Sequence, residues 1–352
     1  MTPHVSPVCP ACGAEKAGIY WRRLDMELAL CGACGLLFQT RESGARKNSA
    51  LIDRIYSEYV STFSRHLAFN EIRLEKIFRM LGREPKGLKI LELGVGNGAL
   101  GRLLLEKGSL YTGFEPYKTC REIIYSCAPG LKNLIIPEKF SLEALKGEKF
   151  DLVIANDALE HMSEPGQVLE GLKKALKPGG SLYLEVPDES FLRIKGRVRI
   201  LFRMYEKGYL TNPDHVSLFT PATFRKFAER TGFKVELLER ESVWGDPARI
   251  RIALGGKMPF YVLAGIYALK FTGLDLVLGG NITALLKDKN DPDTRLSRHP
   301  LRAESPLRPT PHNPDRRDSP LLRLHEERGL VSGCRGSGNN ESPDYRGRQV
   351  SG

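Results

Sequence analysis

The stretch Leu88–Gly101, LKILELGVGNGALG, decides how the whole chain is read. Its first half carries Leu88, Ile90, Leu91 and Leu93. That run is too continuously apolar for a strand with one wet face, so it predicts a strand buried on both sides. It breaks at Gly94, Gly96, Gly98 and Gly101, after which Leu100, Leu103, Leu104 and Leu105 resume at helical spacing. A strand, a glycine turn and a helix start together make a ligand site. Glycine lets the backbone approach a ligand closely and take φ above zero. The first helical turn offers unpaired N–H groups and a partial positive charge. A tight turn without a ligand is the plainer reading, but so many glycines weaken a fold unless something needs the space.

Two cofactor patterns compete for this loop. Gly96-x-Gly98-x-x-Gly101 fits the dinucleotide fingerprint of a dehydrogenase. Glu92-x-Gly94-x-Gly96-x-Gly98 resembles motif I of the class I S-adenosylmethionine (SAM) methyltransferases. Glu92 favours the second. A carboxylate just ahead of the glycines suits a cationic ammonium, which SAM carries on its methionine part, and would repel a diphosphate.

Downstream the chain alternates strand and helix. Leu110–Phe114 reads as a second strand ending at Glu115, within the ~20-residue window where a carboxylate takes the ribose hydroxyls of a nucleoside cofactor. Both cofactor readings need that acid; a helix N-terminal acid ahead of Pro116 is the alternative. Residues 131–136 are expected to form the third strand and Phe150–Asn156 the fourth, delivering Asn156, Asp157, Glu160 and His161 at its carboxyl end, where open parallel sheets bind ligands. Val168, Leu169, Leu172 and Leu176 predict a helix stopped by Pro178-Gly179-Gly180, and Ser181–Val186 the fifth strand. Cys120 and Cys127, two helical turns apart, read as packing residues.

LELGVGNG, YTGFEP, FDLVIANDALEHM and LKPGGSLYLEVP, in this order, resemble the class I SAM-dependent methyltransferase family over roughly residues 88–287. DHVSLFTPATFRKFAERTGFKVE is similar to the approach to the sixth strand in its small-molecule branch. The resemblance implies an α/β, doubly wound, Rossmann-like sheet of seven strands with the last antiparallel. Residues 231–238 would give the sixth strand and Asn281–Lys287 the seventh. It also implies that Glu92, Gly94, Gly96 and Gly98 hold the methionine end of SAM and Glu115 the ribose. Asn156 and Asp157 would face the cofactor. The third-strand acid that often touches adenine has no counterpart, Glu138 being out of place. His161 and His215 occupy family-like active-site positions as candidate catalytic bases, although His161 also suits a purely structural part in orienting the next helix. Asp157-x-x-Glu160-His161 further resembles the carboxylate–histidine cluster of ubiquinone-biosynthesis O-methyltransferases, where a divalent ion can assist. The Asn-Pro-Pro-aromatic motif of amino-group methyltransferases is absent, which points to oxygen or carbon as acceptor atom.

Cys9-x-x-Cys12 and Cys31-x-x-Cys34 form the second strong signal. Two CxxC pairs separated by about 15–20 residues read as a structural tetrahedral zinc site, a ribbon over residues 1–40. Gly13 and Gly35 follow each pair and permit the tight turn, while Ile19-Tyr20-Trp21 and Leu28-Ala29-Leu30 suggest a hairpin. Two disulfides or free thiols are the alternatives. A catalytic zinc is disfavoured, because four thiolates leave no open position. The ribbon resembles one that precedes this domain in some natural-product and sugar C-methyltransferases. Residues 41–87 read as a linker followed by helices; Tyr56, Tyr59 and Arg65 are candidate lid residues, or members of ordinary amphipathic helices.

The remaining signals are compositional. A chain of 352 residues with 27% charged residues, a net charge of +11 and a pI near 9.3 suggests about two globular domains and allows an anionic partner without establishing one. Pro3, Pro7 and Pro10 and the lack of an apolar run argue against a signal peptide, so the cytoplasm is expected. Arg193, Lys195, Arg197, Arg199, Arg203 and Lys207, with Phe191, Phe202 and Tyr205, make a basic aromatic insert suited to a phosphate-bearing acceptor, or a solvated helix face. Met258–Leu269 is too short to span a bilayer, which takes about 20 residues, so no transmembrane segment is expected. Residues 289–352 are rich in Pro, Arg, Ser and Gly and are expected to be a disordered tail. The resulting expectation is a zinc-ribbon-bearing SAM-dependent methyltransferase domain over residues 88–288, acting on a small-molecule acceptor. The alternatives are an RNA or protein methyltransferase, a catalytically inactive zinc-ribbon binding module, and an NAD-dependent oxidoreductase.

Overall fold

The structure, a computed structural model, describes residues 7–23, 26–40, 63–192, 211–212, 214–242 and 280–291. Tyr56, Tyr59, the basic residues 193–207, the apolar stretch 258–269 and the tail beyond residue 291 lie outside them.

The cysteine-bearing segment folds as anticipated into a hairpin, β1 (Ala17–Arg23) and β2 (Met26–Cys31), with Ile19 opposite Ala29 and Trp21 opposite Leu28. A short β3 (Leu37–Gln39) adds to β2. Helix α1 (Phe63–Leu81) follows and buries Phe63, Leu67, Leu74, Ile77 and Met80, spaced along one face.

The main sheet then builds in βα units. β4 (Lys89–Leu93) is buried from Ile90 onward, as its unbroken apolar run requires. Helix α2 (Ala99–Glu106) returns the chain to β5 (Leu110–Phe114), and α3 (Lys118–Cys127) to β6 (Ile135–Ile136). β7 (Phe150–Asn156), α4 (Pro165–Ala175) and β8 (Leu176–Pro187) complete the parallel part. The two-residue β9 (Ser217–Leu218) leads to α5 (Pro221–Arg230), whose start is fixed by Pro221 in the first turn and by reciprocal hydrogen bonds between Thr220 and Thr223. β10 (Phe233–Glu241) and β11 (Asn281–Asp288) finish the sheet.

The strand order is β10-β11-β8-β7-β4-β5-β6. β4 to β8 run parallel, and β11 runs antiparallel to both β8 and β10, between which it is inserted. This is the seven-stranded Rossmann-like sheet with a reversed last strand that the family resemblance implies. The third strand is shorter than expected, two residues rather than six. Leu131 sits instead in a 3₁₀ turn and is fully buried beneath the glycine loop, where its Cδ1 would meet a β-carbon at position 98 at 3.1 Å. The fifth strand begins earlier, at Leu176 opposite Phe150. The register then jumps, so that Ser181 faces Leu152, and Lys177 in the extra loop pairs with Asp151 at 2.7 Å.

The cysteine hairpin does not fold apart from this sheet. β3 pairs with β9, and Cys31, Cys34, Leu36 and Phe38 share one buried cluster with Phe219, Phe224 and Phe227. No helix among the described residues is long and apolar enough to cross a membrane.

Candidate cofactor and acceptor cleft

The carboxyl ends of β4, β5 and β7 open into a cleft of about 2580 Å³, larger than the roughly 300–1,000 Å³ of a typical single-ligand pocket. Glu92, Gly94, Gly96, Glu115, Asn156, Asp157 and His161 all line it, as do Cys9 and Cys12 of the hairpin. Gly98 and His215 do not.

The loop after β4 has the backbone the sequence asks for. Gly96 takes φ +61° and a β-carbon there would meet nothing within 4 Å, so its backbone faces open space. Gly98 serves the interior instead: it caps α2 and packs against Ile124 and Leu131. Gly101, the third glycine of the dinucleotide pattern, leaves room for a side chain of the protein itself, since a β-carbon there would lie 2.6 Å from the Tyr111 ring.

Two acids flank the loop. Glu115 accepts hydrogen bonds from the N–H groups of Gly96 (2.8 Å) and Tyr117 (3.0 Å), which oppose the upward push of burial on its carboxyl. Glu92 is 3% exposed and accepts from the hydroxyl of Tyr111 at 2.6 Å. Burial pushes its carboxyl up to about 8, against the lowering influence of the Tyr111 hydrogen bond and of Arg73. The carboxylate expected from sequence is therefore already engaged from below.

From the other side, Asn156 presents an amide whose nitrogen and oxygen are both buried without a hydrogen-bond partner. An orphaned buried amide costs free energy and marks a place where a ligand can complete it. Asp157 takes φ +47° and is bonded at 3.0 Å by Arg73 from α1, whose guanidinium also forks onto Glu185 at 2.9 and 3.1 Å. Arg73 lines the cleft and was not singled out in the sequence, where it reads as one more polar residue of an amphipathic helix. Phe140 was also missed. It follows β6, lines the cleft with Lys139 and Ser141, and stands edge-on to Phe114 with ring centroids 5.3 Å apart. Glu138 is exposed and outside the lining. These features fit a nucleoside cofactor carrying positive charge: an open backbone turn, two acids beside it, an orphaned amide and an aromatic face.

The two histidines meet across the turn after β7. Their rings are edge-to-face with centroids 4.9 Å apart. Nδ1 of His161 lies 3.0 Å from the carbonyl oxygen of Asp214. A carbonyl only accepts, so Nδ1 carries the proton and Nε2 of the neutral ring carries the lone pair. His215 stands behind His161: its Nε2 is 3.2 Å from Nδ2 of Asn212, and its Nδ1 is 3.9 Å from Glu189. Glu160 is 1% exposed, with both carboxyl oxygens lacking hydrogen-bond partners, and burial followed by the charge of Asp157 pushes it well above the usual carboxylate range. One ligand atom from each of Glu160, His161 and His215 falls within 4.8 Å of the others. Arg65, the described one of the candidate lid residues, does not line the cleft.

The four cysteines of the hairpin also converge. Their sulfurs lie within 4.8 Å of one another, with Cys9 to Cys34 at 3.7 Å and Cys12 to Cys31 at 3.6 Å. A disulfide needs about 2.05 Å, whereas sulfurs about 2.3 Å from a central tetrahedral ion are separated by roughly 3.8 Å. The set fits one tetrahedral metal. Gly13 (φ +68°) and Gly35 (φ +82°) close the two turns, donating to the carbonyls of Cys9 and Cys31.

A reversed strand inserted into a parallel sheet, with a glycine turn flanked by acids at its carboxyl edge, is the architecture of the class I SAM-dependent methyltransferases. Residues 64–238 match the family described as a methyltransferase domain, and the protein is a SAM-dependent methyltransferase. It is similar to the ubiquinone biosynthesis O-methyltransferase of Xanthomonas axonopodis pv. citri, 27% identical over 212 residues that cover 58% of this chain and 84% of that protein. The protein of the same name from Coxiella burnetii is 23% identical over 171 residues, 47% of this chain and 71% of the relative. A solved SAM-dependent methyltransferase of Mesorhizobium loti is 20% identical and covers 60% of this chain and 95% of its own, with a TM-score of 0.42.

Proposed function

We propose that the enzyme methylates an oxygen or carbon of a small-molecule acceptor, with His161 as the base that takes the acceptor's proton. The observation that carries this reading is the hydrogen bond from His161 Nδ1 to the Asp214 carbonyl, which puts the lone pair of a cleft-lining ring on Nε2, 3.8 Å from the Glu160 carboxyl. The relatives named as O-methyltransferases support oxygen as acceptor atom.

Glu92, Gly94 and Gly96 would hold the methionine end of SAM, Glu115 the ribose, and Phe140 with Ser141 the purine; Asn156 and Asp157 would stand between cofactor and acceptor. SAM supplies an electrophilic methyl group on a sulfonium with a good leaving group. The chain's own residues then have two tasks. One is to hold the acceptor at attack distance, which accounts for much of the acceleration in such displacements. The other is to remove the hydroxyl or carbon-bound proton, which His161 Nε2 does as the bond to carbon forms. Cys9, Cys12, Cys31 and Cys34 would hold a structural zinc ion.

A second reading of the acceptor end is favoured by Glu160, whose buried carboxyl oxygens make no hydrogen bond, Oε1 lying 3.8 Å from His161 Nε2. Glu160, His161 and His215 converge as three ligands would, so a divalent ion there would bind and acidify the acceptor hydroxyl. Transfer of labelled methyl from SAM to a panel of catechols and hydroxylated natural products tests both readings. Incorporation into RNA, with affinity falling steeply with salt, would instead favour the nucleic-acid alternative. Calorimetry with SAM showing no heat would remove the cofactor assignment altogether.

A further inference from the structure

β9 is only two residues long, and it pairs with the cysteine hairpin rather than with the main sheet. Leu37 faces Leu218 and Phe38 faces Ser217. The Gln39 N–H donates to the Val216 carbonyl at 2.8 Å, and Gln39 Nε2 reaches the Asn212 carbonyl at 3.5 Å. Gln39 is 4% exposed, so these bonds form in the interior. On its other side the same stretch is tied to the turn after β7, where the Val216 N–H donates to the Glu160 carbonyl at 2.7 Å.

This stretch sets both imidazoles. The Asp214 carbonyl holds His161 Nδ1 as a donor. The Asp214 N–H donates to Oδ1 of Asn212 at 3.0 Å, which turns the amide so that Nδ2 faces His215 Nε2. An amide nitrogen only donates, so His215 Nε2 must accept, and the proton of the neutral ring sits on Nδ1, which is 3.9 Å from Glu189 and makes no hydrogen bond. Both rings are thus fixed as Nδ1–H tautomers by backbone and side chains that lean on β3. β3 leans in turn on the cysteine turn, because Leu36 and Phe38 pack in one cluster with Cys31 and Cys34.

We infer that the cysteine ribbon is a working part of the acceptor site. Through β3, with Gln39 as a positioning residue, it fixes the tautomers of His161 and His215 and thereby makes Nε2 of His161 the base. The functional meaning of this coupling rests on the proposed role of His161; the coupling itself does not. Metal loss at the four thiolates would leave the cofactor half of the cleft standing and scramble the proton-accepting half.

The test uses full-length protein with ¹⁵N-labelled histidine, at a pH where the rings are neutral, and reads long-range ¹H–¹⁵N correlations of the imidazoles. His161→Gln and His215→Gln assign the signals. Both rings should show the Nδ1–H pattern. After zinc chelation both should move to the averaged pattern dominated by Nε2–H that free imidazole shows in water, while SAM affinity by calorimetry changes less than about twofold. Gln39→Ala, which keeps all four thiolates and its metal, should shift the His215 pattern partway. Nδ1–H patterns that persist after the ribbon's amide signals have collapsed would overturn the inference. So would loss of SAM binding together with the tautomers, because that reports general unfolding. Failure of the untreated protein to bind SAM would defeat the methyltransferase cleft and leave the tautomer result to be judged by itself.

Discussion

The Tyr111 hydroxyl donates to Oε2 of Glu92 at 2.6 Å beneath the glycine loop, and both side chains are buried. Tyr111 is why Gly101 must lack a side chain, and it keeps a proton donor against the acid that faces the cleft.

This pair makes cofactor binding proton-linked. With its carboxyl at about 8, Glu92 is mostly neutral at pH 7 in the free protein, yet an ammonium group favours its ionised form. SAM binding at pH 7 should therefore release close to one proton, and affinity should rise about tenfold per pH unit up to about 8. Calorimetry in buffers of different ionisation enthalpy measures the proton directly; no release would show that Glu92 does not meet the ammonium. The free protein should behave in the opposite sense. The folded carboxyl is raised above its usual 4.5, so its stabilising contribution is complete below 4.5 and is lost as pH rises through about 8. The melting temperature of the free protein should fall across that window. Tyr111→Phe removes a hydrogen bond that lowers the carboxyl's value, and should weaken SAM binding at pH 7 severalfold.

Arg73 joins α1 to the carboxyl edges of β7 and β8, through Asp157 and the 3%-exposed Glu185. Arg73→Ala would take from Glu185 the guanidinium that forks onto it, leaving its bonds to Asn281 and Tyr183. Removing one partner of a buried ion pair costs about 3–5 kcal/mol. A urea midpoint lowered accordingly is expected. Arg73→Lys should recover only part of it, since a lysine cannot fork onto both carboxylate oxygens. An unchanged midpoint would mean that α1 is held by its apolar face and by Lys76, which bonds Thr283 and Glu241, without help from Arg73.

How much of this was legible in the sequence depended on range. β7 was read with the bounds it has, because a buried parallel strand declares itself by an unbroken apolar run. The reversed β11 came from family resemblance; periodicity alone does not give strand direction. Leu131 reads as a strand residue because a plug in a turn and a strand residue are equally apolar. Tyr111, Arg73 and Phe140 were missed for a common reason. Each matters through a partner distant in sequence: Glu92 for Tyr111, Asp157 and Glu185 for Arg73, Phe114 for Phe140. The pairing of β3 with β9 joins residues about 180 positions apart across two residues of strand, with no local pattern to announce it.

That pairing changes what a cysteine substitution should do. A free-standing ribbon would loosen by itself. Here Cys31 and Cys34 share a core with Phe219, just ahead of α5, and with Phe224 and Phe227 within it. Cys31→Ser should lower bound zinc from about one per chain to near zero by elemental analysis, since three thiolates and a hydroxyl make a poor tetrahedral set. Amide exchange should then speed up in β1 to β3 and also in β9 and the first turn of α5. Exchange confined to the hairpin would show the two parts to be mechanically separate, and unchanged zinc would refute the four-thiolate site.

His161→Gln separates cofactor binding from chemistry. Glutamine keeps a donor that can reach the Asp214 carbonyl but has no basic nitrogen to receive the acceptor's proton. A positioned general base contributes roughly 10²–10⁴-fold, so kcat should fall by about that much. SAM affinity by calorimetry should stay within about twofold, because the acids and glycines proposed to hold SAM are untouched. The same variant distinguishes the two acceptor-end readings when divalent ion is varied. If His161 acts as a base, the wild-type rate is insensitive to added Mg²⁺ or Mn²⁺ and the variant stays slow at every concentration. If Glu160, His161 and His215 hold an ion, the wild-type rate saturates with the ion and the variant needs far more of it to recover. A variant that transfers methyl at the wild-type rate without ion would remove His161 from the chemistry and return it to a structural part, joining the turn after β7 to the stretch around Asp214.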